Sequence, residues 1–416
     1  MSAQPVYRTC ESSLGRLPTK LPTPRTKRLH RWMFSDLLKH PLEIVSPPAL
    51  QGIEKHIAPK HLKYIGSYNW IDAPTPTIIV PGCPPIWAEK RAPLIVPRDN
   101  GRDFIDQNGY HMKRRFTLLP LIRAVQTITN RKTSKFDWPS VDFVADRGAL
   151  RKLAAWANDK SGHWRMDTQL AGHNTVLINS WPPVTKQTIG HSDSYGYNFE
   201  KACTHPAPGC ESGTGHHRII TYDFGGLTMV VRFEVDACLP FPTTRSRRKS
   251  GNARNHAKSA PGAQAWGTDT PTFRTVSKPT LRFPHVAVIR AGSRVPQSHL
   301  IELKTYSGAK KHWNRSYPQL FLSQTPHIYY GAHKNGEFSE IKKYTLGEPH
   351  LKPIDHNAQV AFKKLKVALE AIQELVGKHG TNGRITLVCT GKELGVYQRE
   401  NAGSCLPKYA LALFRL

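Results

Sequence analysis

The hydrophobic pattern of this chain switches repeatedly between a period of two and a period near 3.6, the side-chain periods of strand and helix. Residues 299–307, HLIELKTYS, alternate as a strand, with Ile301, Leu303 and Thr305 on one face and Glu302 and Lys304 on the other. RFEVDACL (232–239) repeats the arrangement: Phe233, Val235 and Ala237 face one way, Glu234 and Asp236 the other. Two β-rich runs flank Gly225-Gly226 and two more flank Asn335-Gly336. Both pairs accept the positive φ angles of a tight turn, so a hairpin is expected at each.

Helical periodicity marks three segments. Residues 146–159 carry Leu150, Leu153, Ala154 and Trp156 or Ala157 on one face. Residues 358–380 carry Leu365, Leu369, Ile372 and Val376, and end on the stop signal Lys378, His379, Gly380. Segment 114–128 reads as a helix interrupted early by Pro120. Short strands are expected at TVLINSW (175–181), RITLVCT (384–390) and KYALALF (408–414), with Pro-broken strands over 64–87. Strands interleaved with helices indicate a mixed α/β domain, built on a mixed, largely antiparallel central sheet flanked by helices.

Two regions have no period. Residues 1–45 are rich in Pro, Lys and Arg and read as a disordered basic arm. Residues 242–279, basic and bearing Gly, Ser and Pro, read as a disordered insertion between two core strands. One domain, 46–416, remains. Within the insertion, RSRRK (245–249) reads equally as a nuclear localisation signal or as linker charge.

Charge then narrows the partner. Fifty-nine Lys and Arg against 30 Asp and Glu leave a net charge of +29, which points to a polyanion, nucleic acid first. A merely basic protein with charged tails is the plain alternative. The N-terminus lacks the apolar core of a secretory signal, and no run is long and apolar enough to span a membrane. A basic, acid-poor first forty residues keeps a mitochondrial transit peptide open. The seven cysteines lack disulfide-framework spacing and suit a reducing compartment, so nucleus and/or cytoplasm is expected.

Charged residues on apolar strands raise a question of chemistry. Two unit charges about 4 Å apart repel by roughly 4 kcal/mol at an effective dielectric near 20, so paired carboxylates call for a cation. If the Glu234–Asp236 strand lies near Glu302, three carboxylates and a lysine converge. Their hard oxygens suit Mg²⁺ or Mn²⁺, with Lys304 steering a water or holding developing negative charge. An ExD strand followed by an ExK strand in a basic α/β chain is the general signature of a PD-(D/E)xK-like nuclease. For ExK alone, an exposed ion-paired face explains as much. A second cluster, Cys203, His205, Cys210, His216 and His217, reads either as a zinc site or as a solvated His/Cys loop.

Further motifs stand in order along the chain. Arg147-Gly148 heads a helix, Gly196-Tyr197-Asn198-Phe199-Glu200 follows, then come ExD, ExK and SYPQLFLSQTPHIYYGAHKNG (316–336). In this order, over residues 60–350, the sequence resembles the DXO/Rai family of RNA 5′-end decapping nucleases. The resemblance implies that Glu200, Glu234, Asp236, Glu302 and the Leu303 carbonyl bind metal, as a pair of Mg²⁺ or Mn²⁺ ions. It also implies that Glu234, Asp236, Glu302 and Lys304 are catalytic, and that Arg147 and Gln319 contact RNA phosphates. Pro318, directly before Gln319, is expected to break or shorten that helix. The implied activity removes incomplete, noncanonical or triphosphate 5′ ends, with or without 5′→3′ exonuclease action. The implied partners are the RNA 5′ end and a 5′→3′ exoribonuclease, the chain being otherwise monomeric. Two alternatives stay open: a weakly catalytic partner that stabilises an exoribonuclease, and a metal-dependent DNA nuclease.

Overall fold

The computed structural model describes residues 31–50, 55–129, 135–160, 162–189, 194–241, 285–308, 311–401 and 403–415. The expected insertion at 242–279 and residues 1–30 of the expected arm lie outside the described residues.

The first strands are β1 (Glu43–Val45), β2 (Lys60–Ile71), β3 (Thr77–Gly82), β4 (Ile86–Trp87), β5 (Leu94–Ile95) and β6 (Gly101–Phe104). Helices α1 (Gln107–His111) and α2 (Leu119–Thr129) precede β7 (Phe143–Asp146), which runs straight into α3 (Arg147–Ala157). Next come β8 (His163–Ala171), β9 (Thr175–Ser180), β10 (Lys186–Ile189), α4 (Gly196–Ala202), β11 (Thr204–His205), β12 (Gly213–Phe224) and β13 (Leu227–Val235). Then follow β14 (Ala237–Cys238), β15 (Ala287–Gly292), β16 (Leu300–Tyr306), α5 (Trp313–Ser323), β17 (His327–Lys334) and β18 (Glu337–Thr345). Helix α6 (Lys352–Lys378), β19 (Ile385–Thr390), β20 (Leu394–Gln398) and α7 (Lys408–Leu411) complete the order.

The expected central sheet is two large sheets, beside an antiparallel pair of β10 with β6. Eleven strands run in the order β1-β20-β19-β8-β9-β7-β13-β12-β2-β3-β15, and seven in the order β11-β4-β14-β16-β17-β18-β5. Both are mixed and largely antiparallel, with parallel pairs such as β13–β7 and β16–β17. Both expected hairpins form. Gly225 and Gly226 turn with φ of 65° and 99°, Asn335 and Gly336 with 51° and 90°. The apolar stripes predicted for α3 and α6 pack together on one face of the large sheet, through Leu150, Leu153, Leu365, Leu369 and Ile372. Helix α2 covers the other face with Leu121, Ile122 and Val125. Each such fully buried side chain contributes about 1.5–3 kcal/mol.

Several local expectations are corrected. KYALALF is not a strand: Pro407 caps α7 and a 3-10 turn continues to Phe414. Leu and Ala are strong helix formers, and one turn brings Ala410 and Phe414 to the same buried face. Residues 31–45 do not lie free of the domain; Met33 and Leu37 bury against Val388, and β1 pairs with β20. Pro318 sits inside α5 without ending it. It removes one backbone bond, while buried Tyr317, Leu320 and Phe321 hold the helix to the core.

One backbone contact fixes the sheet edge. Gly292 in β15 has φ of 80°, and an added Cβ would stand 2.5 Å from the Gly82 carbonyl carbon. Gly292→Ala is expected to lower stability by about 1–3 kcal/mol, read as a lower urea midpoint with an unchanged slope.

Candidate active site

Glu234 is the penultimate residue of β13, held in register opposite His217 of β12. The chain then leaves the large sheet. Its next strand, β14, belongs to the small sheet and pairs with β16, so Asp236 stands at the crossing between the two. Glu234 and Asp236 therefore do not share one continuous strand, as the alternation suggested. The crossing instead turns Asp236 toward β16, where its Oδ2 accepts the Leu303 N–H at 2.8 Å.

Glu302, in the interior of β16, is 2 % exposed. Arg147 Nη1 donates to its Oε2 at 2.9 Å, and Lys304 Nζ pairs with its Oε1 at 2.6 Å. Arg147 stands at the first position of α3, as the Arg-Gly spacing predicted, and its guanidinium also lies over the Phe233 ring at 5.6 Å. Gln319 lies on α5, one helical turn before Ser323, whose Oγ accepts from Arg147 Nη1 at 3.4 Å. The structure thus brings Arg147 to the acids and places Gln319 on the neighbouring helix.

Glu200 rides on α4, which lies close to β16: a Cβ added to Gly196 would stand 3.7 Å from Thr305 Oγ1. Burial raises the Glu200 pKa well above its ordinary value, and Asp236 raises it further. Burial and Asp236 likewise push Glu234 up to about 7. Burial and the charge of Glu302 raise Asp236. Burial acts to raise Glu302 as well, but Arg147 and Lys304 outweigh it and hold that carboxyl at about 2. For Lys304, burial works to lower the pKa, and Glu302, Asp236 and Glu200 together raise it. The four acids and the lysine therefore form one electrostatic unit. Its positive charge stabilises Glu302 and leaves Glu200 and Glu234 short of a cation.

Cation binding can be judged from the donors themselves. Lys304 Nζ touches Glu302 Oε1 at 2.6 Å, the Leu303 carbonyl at 2.9 Å and Asp236 Oδ2 at 3.5 Å. Those three oxygens are among the five expected metal ligands, and here they surround one ammonium. Among the described residues, no three His, Cys, Asp or Glu side chains are gathered at metal-holding positions. The donor chemistry nonetheless fits a hard divalent ion, which would compete with the Lys304 ammonium for the same oxygens.

Sequence reasoning missed two supports. Asp99 accepts from the backbone N–H groups of Tyr197 and Asn198 and from Ser194 Oγ, capping the helix that carries Glu200. Gln107 Nε2 donates to the Thr214 carbonyl at 3.0 Å and reaches Glu234 Oε1 at 3.4 Å. Neither has a local signal, because each partner lies about a hundred residues away. Asp99→Ala is expected to lower stability by about 1–2 kcal/mol in thermal unfolding, through loss of the cap.

Of the His/Cys cluster, His205 is exposed as a solvated loop predicts, whereas the other four members are buried. Cys203 and Cys210 are buried, with thiols pushed up to about 12 by burial. His216 and His217 lie inside β12, where burial holds both neutral; His216 Nδ1 meets Asn69 Oδ1 at 2.8 Å and His217 stacks on Tyr68. These partners and the absence of a metal-holding group among the described residues leave the zinc reading without support.

Two large mixed sheets flanked by helices, with the ExD crossing set against the ExK strand, define a mixed α/β fold. Solved structures share it. Rai1 of Scheffersomyces stipitis, in complex with (3′-NADP)+ and calcium ion, is 13% identical over 90% of this chain and 99% of its own, with a TM-score of 0.56. Rai1 of Candida albicans, in complex with pU5-Mn2+, is 13% identical over 89% and 99%, with a TM-score of 0.52. A mutant S. pombe Rai1 in complex with 3′-FADP is 14% identical over 86% and 98%, also at 0.52. At this identity the likeness is one of fold, and at that level it bears out the resemblance read from the motif order. No curated protein matches the chain in sequence. The chain belongs to the family described as "Domain of unknown function (DUF8563)", whose model matches residues 42–409.

Proposed function

We propose that this protein is a divalent-metal-dependent hydrolase of RNA 5′ ends, acting on incomplete or noncanonical caps or on 5′-triphosphates. The carrying observation is the convergence of Asp236, Glu302 and Lys304 at the crossing between the sheets, with Glu200 and Glu234 within electrostatic reach. The net charge of +29 supports an RNA substrate, as does the pU5-Mn2+ complex of the Candida albicans protein.

Residues of the chain account for proton and charge. Glu234, with a pKa of about 7 while no cation is bound, has to shed its proton before it can serve as an oxygen ligand. Lys304, held protonated by Glu302 and Asp236, would donate to the oxygen on which negative charge develops. Arg147 would keep Glu302 ionised and, with Gln319, face the RNA backbone. A divalent ion on Glu200, Glu234, Asp236, Glu302 and the Leu303 carbonyl would supply charge neutralisation and polarise the phosphoryl oxygen.

The reading is tested by incubating the protein with Mg²⁺ or Mn²⁺ and RNAs that differ only at the 5′ end, beside DNA of the same sequence. Release of the 5′ group from RNA is expected, and chelator should abolish it. Cleavage of DNA alone would favour the DNA nuclease. Intact substrates throughout would favour the exoribonuclease-stabilising role.

Metal affinity carries a pH signature. Glu234 must lose its proton to become a ligand, so Mn²⁺ binding is expected to strengthen as pH rises through about 7. Titration calorimetry in buffers of different ionisation enthalpy reads the released proton. Equal affinity on both sides of that pH would remove Glu234 from the ligand set.

A further inference from the structure

A second basic feature lies away from the acids. A cavity of about 320 Å³ is lined by four arginines, Arg114, Arg115, Arg165 and Arg399, and by Phe116 and Trp181. Among the described residues, two acids, Asp36 and Asp167, line it. Asp167 is already engaged, accepting from Arg165 Nε at 3.1 Å, Thr386 Oγ1 at 2.8 Å and Arg399 Nη1 at 3.4 Å. Arg114 and Arg115 are less compensated. Arg114 donates to the carbonyls of Pro182 and Pro183, neutral acceptors that leave its charge in place. Arg115 is exposed, and its guanidinium lies 5.5 Å from the Phe116 ring centroid. Arg399, 7 % exposed, is held by Asp167 and by the carbonyls of Gly403 and Thr168.

The backbone here is held in an unfavourable shape. Lys113, Arg114 and Phe116 have φ of 48°, 61° and 53°, in the left-handed region that side chains disfavour. Three such residues in four positions present two neighbouring guanidiniums at the cavity, and backbone strain of this kind collects at binding sites.

Size and shape select the ligand. A bare phosphate ion would leave most of 320 Å³ unfilled. Arg114 and Arg165 lie over the Trp181 ring at 5.9 and 4.7 Å; Arg165 is 1 % exposed, so the half-buried Arg114 offers the flat cationic surface, beside Asn179, Asn401 and Ser404. Guanidinium planes of this kind stack bases and neutralise phosphates.

Position relates the cavity to the acids. Arg232, two residues before Glu234 on the same strand face, donates to the Thr117 carbonyl at 2.7 Å. The Thr117 hydroxyl bonds Asn179 of β9, which lies opposite Asp167 of β8. From β13 through β7 and β9 to β8 is three strand spacings, about 14 Å. The cavity thus lies on the same face of the same sheet as Glu234, within a short stretch of single-stranded chain.

We propose that this arginine-lined cavity binds a nucleotide, taking its phosphate on Arg115 and its base against the Arg114 guanidinium over Trp181. The ligand is either a free mononucleotide or one nucleotide of the RNA chain whose 5′ end enters the acidic site. The second source rests on the function proposed above; the first does not.

The test reads binding by fluorescence anisotropy, with a labelled oligouridylate of about ten nucleotides, in chelator so that no hydrolysis occurs. Binding is therefore scored whether or not the acids cleave RNA. Arg115→Glu is expected to weaken binding about tenfold and to reduce the slope of log affinity against log salt by about 0.7 per lost phosphate contact. Lys378→Glu, the same charge change on α6 across the sheet, is expected to weaken it less than about threefold. Circular dichroism checks that both variants are folded. Competition by uridine monophosphate that Arg115→Glu abolishes identifies a mononucleotide pocket; no competition, with the Arg115→Glu loss intact, identifies the RNA chain. Equal losses in the two variants would reduce the effect to bulk charge and overturn the proposal. So would wild-type affinity in Arg115→Glu, or no binding by the wild type.

Discussion

Glu234→Gln combined with Asp236→Asn is expected to lower RNA 5′-end hydrolysis by on the order of 10³-fold while leaving the protein at least as stable as wild type. The loss follows from removing two of the carboxylates expected to hold the divalent ion. The stability follows from the direction of the pKa shift. Glu234 is raised from 4.5 to about 7 in the folded protein, so the folded state holds its proton more tightly than the unfolded chain does. Ionising it as pH rises through that interval therefore weakens the metal-free fold, and an uncharged amide escapes the penalty. The Asn at 236 retains an oxygen to accept the Leu303 N–H, so that contact survives. Single-turnover assays and urea unfolding without metal measure the two effects. A double variant that keeps activity would end the enzyme reading; one that loses activity together with several kcal/mol of stability would make the acids structural.

Arg232→Met is expected to have the largest effect on stability. Arg232 is fully buried, with Nε 2.6 Å from Asp146 Oδ1 and Nη2 2.8 Å from Oδ2. Its Nη1 also donates to the Thr117 carbonyl at 2.7 Å and reaches Tyr68 Oη at 3.2 Å. Truncating one partner of a buried pair leaves the other charge uncompensated, at about 3–5 kcal/mol. The Asp146 side chain keeps 24% of its surface exposed, so water screens it and the lower end, about 3 kcal/mol, applies. Asp146 immediately precedes Arg147, so the loss should also disturb the partner of Glu302. Chemical unfolding of Arg232→Met, Asp146→Asn and the double variant gives the coupling directly. A coupling under about 1 kcal/mol would show that the two charges interact weakly with each other.

Much of this arrangement was legible locally. Alternation in LIELKTY identified β16 and paired Glu302 with Lys304, because a strand repeats every two residues whatever surrounds it. Gly225-Gly226 and Asn335-Gly336 marked both hairpins, since few residues tolerate the φ angles those turns need. Arg147 fell at a helix start for a similarly local reason. KYALALF failed because an alternating run of Ala and Leu satisfies strand and helix alike, and packing of Ala410 and Phe414 decided between them.

The sequence by itself therefore determined both hairpins, the main helices, the strand face of β16, the order of the motifs and the positive charge that points to a polyanion. Tertiary structure alone decided that the chain changes sheets at Asp236, that Arg147 and Lys304 share Glu302, and that Asp99 caps the helix bearing Glu200. It also decided that arginines from residues 114 to 399 meet at one cavity. The physical reason is range. Side-chain period and turn geometry are set by neighbours a few residues apart, whereas sheet crossing, burial and ion pairing depend on segments scores to hundreds of residues away, whose proximity no local pattern encodes.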